Sequence, residues 1–320
     1  MTSPEFLDFR NRVFDYHHRG EFRAALEAVT TSQSRFLDEL NTLIFWQACF
    51  HALLGEKQPA LETLNRGLAS GEWWHPAMLR NDSDLASLQE VPEFLAILNV
   101  CQRRHEGAQE SGSPELLEIL PQTGHPPYPC LLALHGMGSR AAFEAANWGP
   151  ASQLGWLVAV PQSSRLLSPR RYHWPDVALA HIELSHHLQD LSRRGAILPS
   201  QCVLAGFSQG GALALQFALH QSIPCRGVIG VVPGRVPLDE LETAATASGQ
   251  AGLRAYLIVG GQDRRREDFE ILHTWLEQHG IPCLIEWHPE IGHAFPTDMS
   301  SSLRAALDFV MNTSTNGEIQ

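Results

Sequence analysis

The chain has 320 residues, of which 44% are hydrophobic and 18% charged, with a formal net charge of −12. That composition excludes a disordered polymer, and the length suffices for two domains with separate cores. Ten basic face fourteen acidic groups over residues 1–104, and thirteen face twenty-one beyond. The acidic excess is therefore spread along the chain and offers nucleic acid no electrostatic footprint.

The first hundred residues are helical by pattern and carry a repeat. Gly20-Glu-Phe-Arg-Ala-Ala-Leu26 returns as Gly55-Glu-Lys-Gln-Pro-Ala-Leu61, with Gly20/Gly55, Glu21/Glu56, Ala25/Ala60 and Leu26/Leu61 all 35 positions apart. Upstream of the second copy, Trp46, Ala48, Cys49 and Ala52 form a packing face that Gly55 closes. This resembles tetratricopeptide helix pairs, whose period is about 34 residues, and a third, divergent unit is expected around residues 84–104. Residues 1–104 then make a small all-α domain that holds a protein partner, self-associates or roofs an active site. The polar, Gly/Ser-containing stretch 105–114 reads as a linker, residues 115–312 as a catalytic domain and 313–320 as a tail.

In the second part apolar strands alternate with helices, the pattern of an α/β fold with a mostly parallel sheet. A strand at Cys130–Leu134 ends in His135-Gly-Met-Gly138. Another, from Cys202, runs into Gly206-Phe-Ser-Gln-Gly210 and leaves as an Ala/Leu-rich helix. That is a nucleophile elbow, a turn tight enough to lift Ser208 above the end of the sheet, with glycines where a Cβ would crowd strand or helix. A serine hydroxyl needs a base, and the base needs an acid to hold it, in the chain order Ser, Asp or Glu, His. Strand Arg254–Gly260 is followed by Gly261-Gln-Asp263, which puts Asp263 in the acid's place. The rivals are Asp268, inside the next helix (about 267–279), and Glu290, facing solvent. A strand over 282–287 then leads to Gly292-His293, ahead of a last helix from about Met299, and position singles out His293 as base. The backbone N–H groups of Met137 and Gln209 are the expected oxyanion donors, with His135 buttressing their loop.

Met137, Phe143, Trp174 and Phe295 lie beyond strand ends and are candidate pocket-lining residues. Arg165, Arg170 and Arg171 are candidates for gripping a substrate carboxylate or phosphate. Only about twenty residues separate the strand at 226–232 from the one starting at Arg254, too few for a large helical cap. Six cysteines without paired spacing, no apolar signal core at the N-terminus and no run near membrane-span length point to a cytoplasmic protein. His181, His186 and His187 do not share a helix face as metal ligands would, so no metal site is expected.

From about Glu115 to Val310 the chain resembles the α/β-hydrolases, most closely the small phospholipase/carboxylesterase and acyl-protein thioesterase group. The resemblance rests on His135-Gly-Met-Gly138, Gly206-Phe-Ser-Gln-Gly-Gly211, Gly261-Gln-Asp263, Gly292-His293 and the Trp174-Pro-Asp176 segment. It implies Ser208 as nucleophile, His293 as base and Asp263 as acid, acting on a small-molecule ester or thioester without a cofactor. Dienelactone hydrolases proper carry a Cys nucleophile, and Ser208 argues against their chemistry. The N-terminal hundred residues and the Arg-rich segment 163–172 depart from the group. The expectation is a serine carboxylesterase. The alternatives are a serine peptidase on short peptides and a partner-binding adaptor with an inactive hydrolase scaffold.

Overall fold

A computed structural model describes residues 4–311, which divide into a helical unit, residues 4–112 with 165–171, and a sheet unit formed by the remainder. The predicted tail, 313–320, lies outside the described residues.

In the helical unit, α1 (Pro4–His18) and α2 (Phe22–Ser32) form one hairpin, and α3 (Leu40–Leu53) and α4 (Lys57–Ala69) another. Gly20 and Gly55 close the first helix of each at φ 71° and 77°, a region that L side chains avoid. The next amides turn back alike, Glu21 N–H to the Tyr16 carbonyl at 2.8 Å and Glu56 N–H to that of His51 at 2.9 Å. The 35-residue repeat is thus the repeat of a helix-ending turn. A short α5 (Pro76–Asn81), a 3-10 turn (Ser83–Leu88) and α6 (Pro92–Ser111) follow. Trp74, fully buried, anchors this part through its indole N–H to the Asn41 carbonyl at 3.1 Å.

The expected linker at 105–114 is a correction: α6 runs on to Ser111. Its polar residues find partners along the helix, Gln102 donating to Glu106 at 2.7 Å, and Gln109 donates to the Leu166 carbonyl at 2.8 Å. Composition alone suggested flexibility there, and these bonds overrule it.

The sheet unit begins with β1 (Glu115–Ile119), β2 (Tyr128–Leu134), α7 (Ala141–Trp148) and β3 (Leu157–Gln162). In chain order β4 (Leu166–Ser168), which belongs to the helical unit, and β5 (Arg171–Tyr172) precede α8 (Val177–Arg193). Then come β6 (Ile197–Phe207), α9 (Gln209–Leu219), β7 (Gly227–Val231), α10 (Leu238–Gln250), β8 (Arg254–Gly260), α11 (Arg266–Gln278), β9 (Cys283–His288) and α12 (Met299–Met311). The seven main strands are ordered β1-β3-β2-β6-β7-β8-β9, and only β1 runs antiparallel to its neighbour. The central strands are buried on both faces, which is why they read as unbroken apolar runs. Register aligns Leu134 with Gly206, Gly206 with Gly230, Val231 with Ile258 and Gly260 with His288. The loops leaving β2, β6, β7, β8 and β9 therefore emerge along one edge, at the carboxyl ends where parallel sheets place their sites. Only the single helix α10 fills the connection from β7 to β8. No helix among the described residues is long and apolar enough to cross a membrane.

Candidate active site

Ser208 sits between β6 and α9 with φ 51° and ψ −116°, a backbone state that costs about 1–3 kcal/mol outside glycine. The turn survives because nothing intrudes on it. A Cβ on Gly210 would press on the Leu134 and His135 carbonyls, 2.6 Å from the latter, and one on Gly206 would lie 2.6 Å from the Gly211 nitrogen. Ser208 N–H donates to the Val231 carbonyl at 3.0 Å, and the Ser208 carbonyl accepts from Gly234 N–H at 2.7 Å. The strained residue is thus tied to the end of β7 and to the loop that follows it.

The Ser208 hydroxyl lies 2.9 Å from His293 Nε2, and His293 Nδ1 lies 2.7 Å from Asp263 Oδ2. Asp263 is buried, and its other oxygen accepts the Arg265 backbone N–H at 2.9 Å. Since a carboxylate only accepts, Nδ1 carries the imidazole proton and Nε2 offers its lone pair to the serine. The loops bearing acid and base are laced together, Gly261 N–H to the His288 carbonyl at 2.8 Å and Gln262 N–H to that of Ile291 at 2.9 Å. Three residues chosen from strand order thus meet in one hydrogen-bonded chain.

Met137, in the loop after β2, and Gln209, at the start of α9, belong to adjoining segments, because Gly210 packs directly on the Leu134 and His135 carbonyls. Neither backbone amide donates to an acceptor among the described residues. The Gln209 side chain grips the Trp174 backbone twice, accepting its N–H and donating to its carbonyl, each at 3.0 Å. His135 buttresses the loop, as expected. Its Nδ1 donates to the Gly136 carbonyl at 2.9 Å, and its Nε2 accepts the Ser163 N–H at 3.3 Å. Burial pushes its pKa down to about 4, which keeps it neutral. Tyr172 holds the loop's far side, accepting from Gly138 N–H at 2.8 Å and donating to the Ser139 carbonyl at 3.0 Å. Beneath it Glu144, also buried, accepts the Gly136 N–H at 3.2 Å. Burial pushes Glu144 up to about 7, against the opposing hydrogen bonds of Ser139 and Gly136.

The expected pocket is redrawn. Trp174 is buried, its ring stacked on His135 at 4.7 Å and its indole N–H given to the His135 carbonyl at 2.9 Å. It supports the loop that follows β2 from behind. Phe143 is half-buried beneath the Arg140 guanidinium, 3.8 Å above its ring. Met137 is exposed. Phe295 is stacked on Phe207 at 4.5 Å, and Phe207 in turn packs 5.3 Å from the His293 ring. Phe207, the variable residue inside the elbow motif, escaped the sequence reading because its type carries no signal there. Beyond Gly234 a cavity of about 500 Å³ opens between the β7–α10 loop and α11, lined by Pro233, Val236, Leu238, Phe269 and Leu272 among others.

The three arginines also resolve differently. Residues 165–171 belong to the helical unit, where Arg170 pairs with Glu72 at 2.8 Å, Arg171 pairs with buried Glu39, and Arg165 donates to the Gln109 carbonyl at 2.9 Å. Their charges hold that segment in place, which overturns the expectation that they grip a substrate anion. In the same unit Cys49, Asp82 and Asp84 bring possible metal-ligand atoms within 4.8 Å of one another. Both carboxylates are already engaged, Asp82 capping the 3-10 turn through Asp84 N–H and Asp84 meeting His17 at 2.9 Å.

Residues 6–109 match a family described as an A/B hydrolase-like N-terminal domain, and residues 177–265 match Phospholipase/Carboxylesterase. No curated protein matches the chain. Among solved structures, an uncharacterized protein from Bacillus cereus is similar over 97% of this chain and 99% of its own, at 20% identity and a TM-score of 0.55. Esterase PE8 is similar over 62% of this chain and all of its own, at 20% identity and 0.52. A dienelactone hydrolase-like promiscuous phosphotriesterase from metagenomic libraries covers 63% of this chain and 93% of its own, at 12% identity and 0.51. These likenesses establish the fold.

Proposed function

Given that the chain is an α/β-hydrolase of the phospholipase/carboxylesterase family with an N-terminal helical domain, we propose that it is a serine carboxylesterase acting on small or medium carboxylic esters or thioesters. The observation that carries this is the unbroken chain from Ser208 through His293 to Asp263, at 2.9 and 2.7 Å, on a strained elbow.

In this reading His293 Nε2 takes the Ser208 proton as the hydroxyl oxygen attacks the ester carbonyl. Asp263 keeps the imidazole in the tautomer that can do so and stabilises the imidazolium that forms. The amides of Met137 and Gln209 receive the oxyanion, each such donor contributing about 10²–10³ in rate. His293 returns the proton to the leaving alcohol or thiol, and the acyl group stays on Ser208. Water, deprotonated by the same imidazole, then releases the acid. The wall of Phe207 and Phe295 suits an apolar part of the substrate.

Six free cysteines, five of them buried, support a reducing, cytoplasmic setting. We assign partner binding or self-association to the helical unit, since paired helices bury one face and offer the other. Turnover of a panel of p-nitrophenyl esters and acyl thioesters tests the reading. Hydrolysis by the wild type and none by Ser208→Ala supports it, and equal hydrolysis by both refutes it.

A further inference from the structure

Three arginines follow the triad acid directly, and they behave differently. Arg264 is exposed. Arg266 donates to Glu270 at 3.3 Å and lies over the Trp287 ring. Arg265 alone turns inward. Its Nη2 donates to the Val232 carbonyl at 3.3 Å, its guanidinium lies 5.4 Å over the Phe269 ring, and its Nε stands 3.9 Å from Asp263 Oδ1. The same Nη2 is 3.3 Å from His293 Nδ1. That last approach is not a hydrogen bond, because Nδ1 already spends its proton on Asp263 and has no lone pair to give. It is a permanent cation held against the donor edge of the imidazole.

We infer that Arg265 is a positioning residue that lowers the pH at which His293 becomes a working base. The inference rests on the esterase reading above. An imidazolium at His293 would be attracted by Asp263 and repelled by Arg265, both near the same ring edge. Asp263 alone would hold the second proton on the ring to higher pH, and Arg265 offsets part of that attraction. The neutral imidazole, the only form that can accept the Ser208 proton, then persists further into acid.

The charged and titratable groups around His293 come from the loops beside it. The β8–α11 loop contributes Asp263 and Arg265, and the elbow contributes Ser208 with uncharged Phe207 beside it. At the end of β9, which leads into the His293 loop, His288 pairs with Glu286 at 2.7 Å and lies 3.8 Å from Glu290. The acid loop also has a hold that does not use the Arg265 side chain. The backbone N–H of residue 265 caps Asp263 Oδ1 at 2.9 Å, and any residue there except proline can supply it. Charge and loop geometry can therefore be separated by substitution.

The experiment is the rate of Ser208 modification by a fluorophosphonate between pH 4 and 9, in wild type, Arg265→Met, Arg265→Gln and Arg265→Lys. The expected result is an acid limb about one pH unit higher in the two neutral variants, near the wild-type position in Arg265→Lys, with plateau rates within a few-fold. If either neutral variant folds and its limb coincides with the wild type's, or moves lower, the inference fails. A rate lowered equally at every pH would mean that Arg265 only supports structure. A wild type that takes no adduct at any pH refutes the esterase reading itself, and that is distinct from a labelled wild type whose limb does not respond to Arg265.

Discussion

Replacing Glu144 with glutamine should make stability at alkaline pH higher and less dependent on pH. Glu144 is buried beneath the loop that follows β2, and desolvation raises its pKa from the usual 4.5 to about 7. The folded protein thus holds this proton more tightly than the unfolded chain does. Its contribution is fully present below pH 4.5 and is lost as pH rises through 7. At about 1.4 kcal/mol per pH unit, the wild type should lose about 3 kcal/mol from this group alone between pH 5 and pH 8. The glutamine side chain cannot ionise, and its amide oxygen can still accept the Gly136 N–H. Urea denaturation of wild type and Glu144→Gln at pH 5 and pH 8 reads the effect. The stability difference between them should move by about 3 kcal/mol in favour of the variant as pH rises. A difference that stays constant would refute the burial argument and mean that Glu144 is ionised, or solvated, in both states.

Other substitutions test other parts of the account. Asp263→Asn removes the acceptor that fixes the His293 tautomer, so kcat on any accepted ester should fall about 10⁴-fold while the protein stays folded. Gly210→Ala places a methyl group against the Leu134 and His135 carbonyls, where only backbone could give way. A loss of about 3 kcal/mol or more is expected in thermal or urea unfolding. Glu39→Gln removes the buried carboxylate that pairs with Arg171 and should destabilise by about 3 kcal/mol, and the pair Glu39→Leu with Arg171→Leu should recover much of that loss.

The meeting of Ser208, His293 and Asp263 was legible in the sequence because a parallel sheet restricts where its loops can go. Once Ser208 was placed after one strand, chain order put Asp263 after a later strand and His293 after the last, and the register between strands brings all three to one edge. The pocket was less legible. Trp174 and Phe295 both follow a strand, and only packing decides that the first turns inward onto His135 while the second stacks on Phe207. Arg171 read as a free cation because its partner, Glu39, lies 132 positions away. Arg265 was hidden in a run of three arginines that reads as the polar start of a helix. Residues 105–111 looked like linker by composition, yet the hydrogen bonds of Gln102 and Gln109 belong to a helix that continues.

The central claim is that Ser208 is an activated nucleophile. Intact mass after treatment with a fluorophosphonate, followed by peptide mapping, tests it without any assumption about substrate. One adduct per chain, mapped to Ser208 and absent from Ser208→Ala, is the predicted result. A folded wild type that stays unmodified, or an adduct that persists in Ser208→Ala, would contradict it.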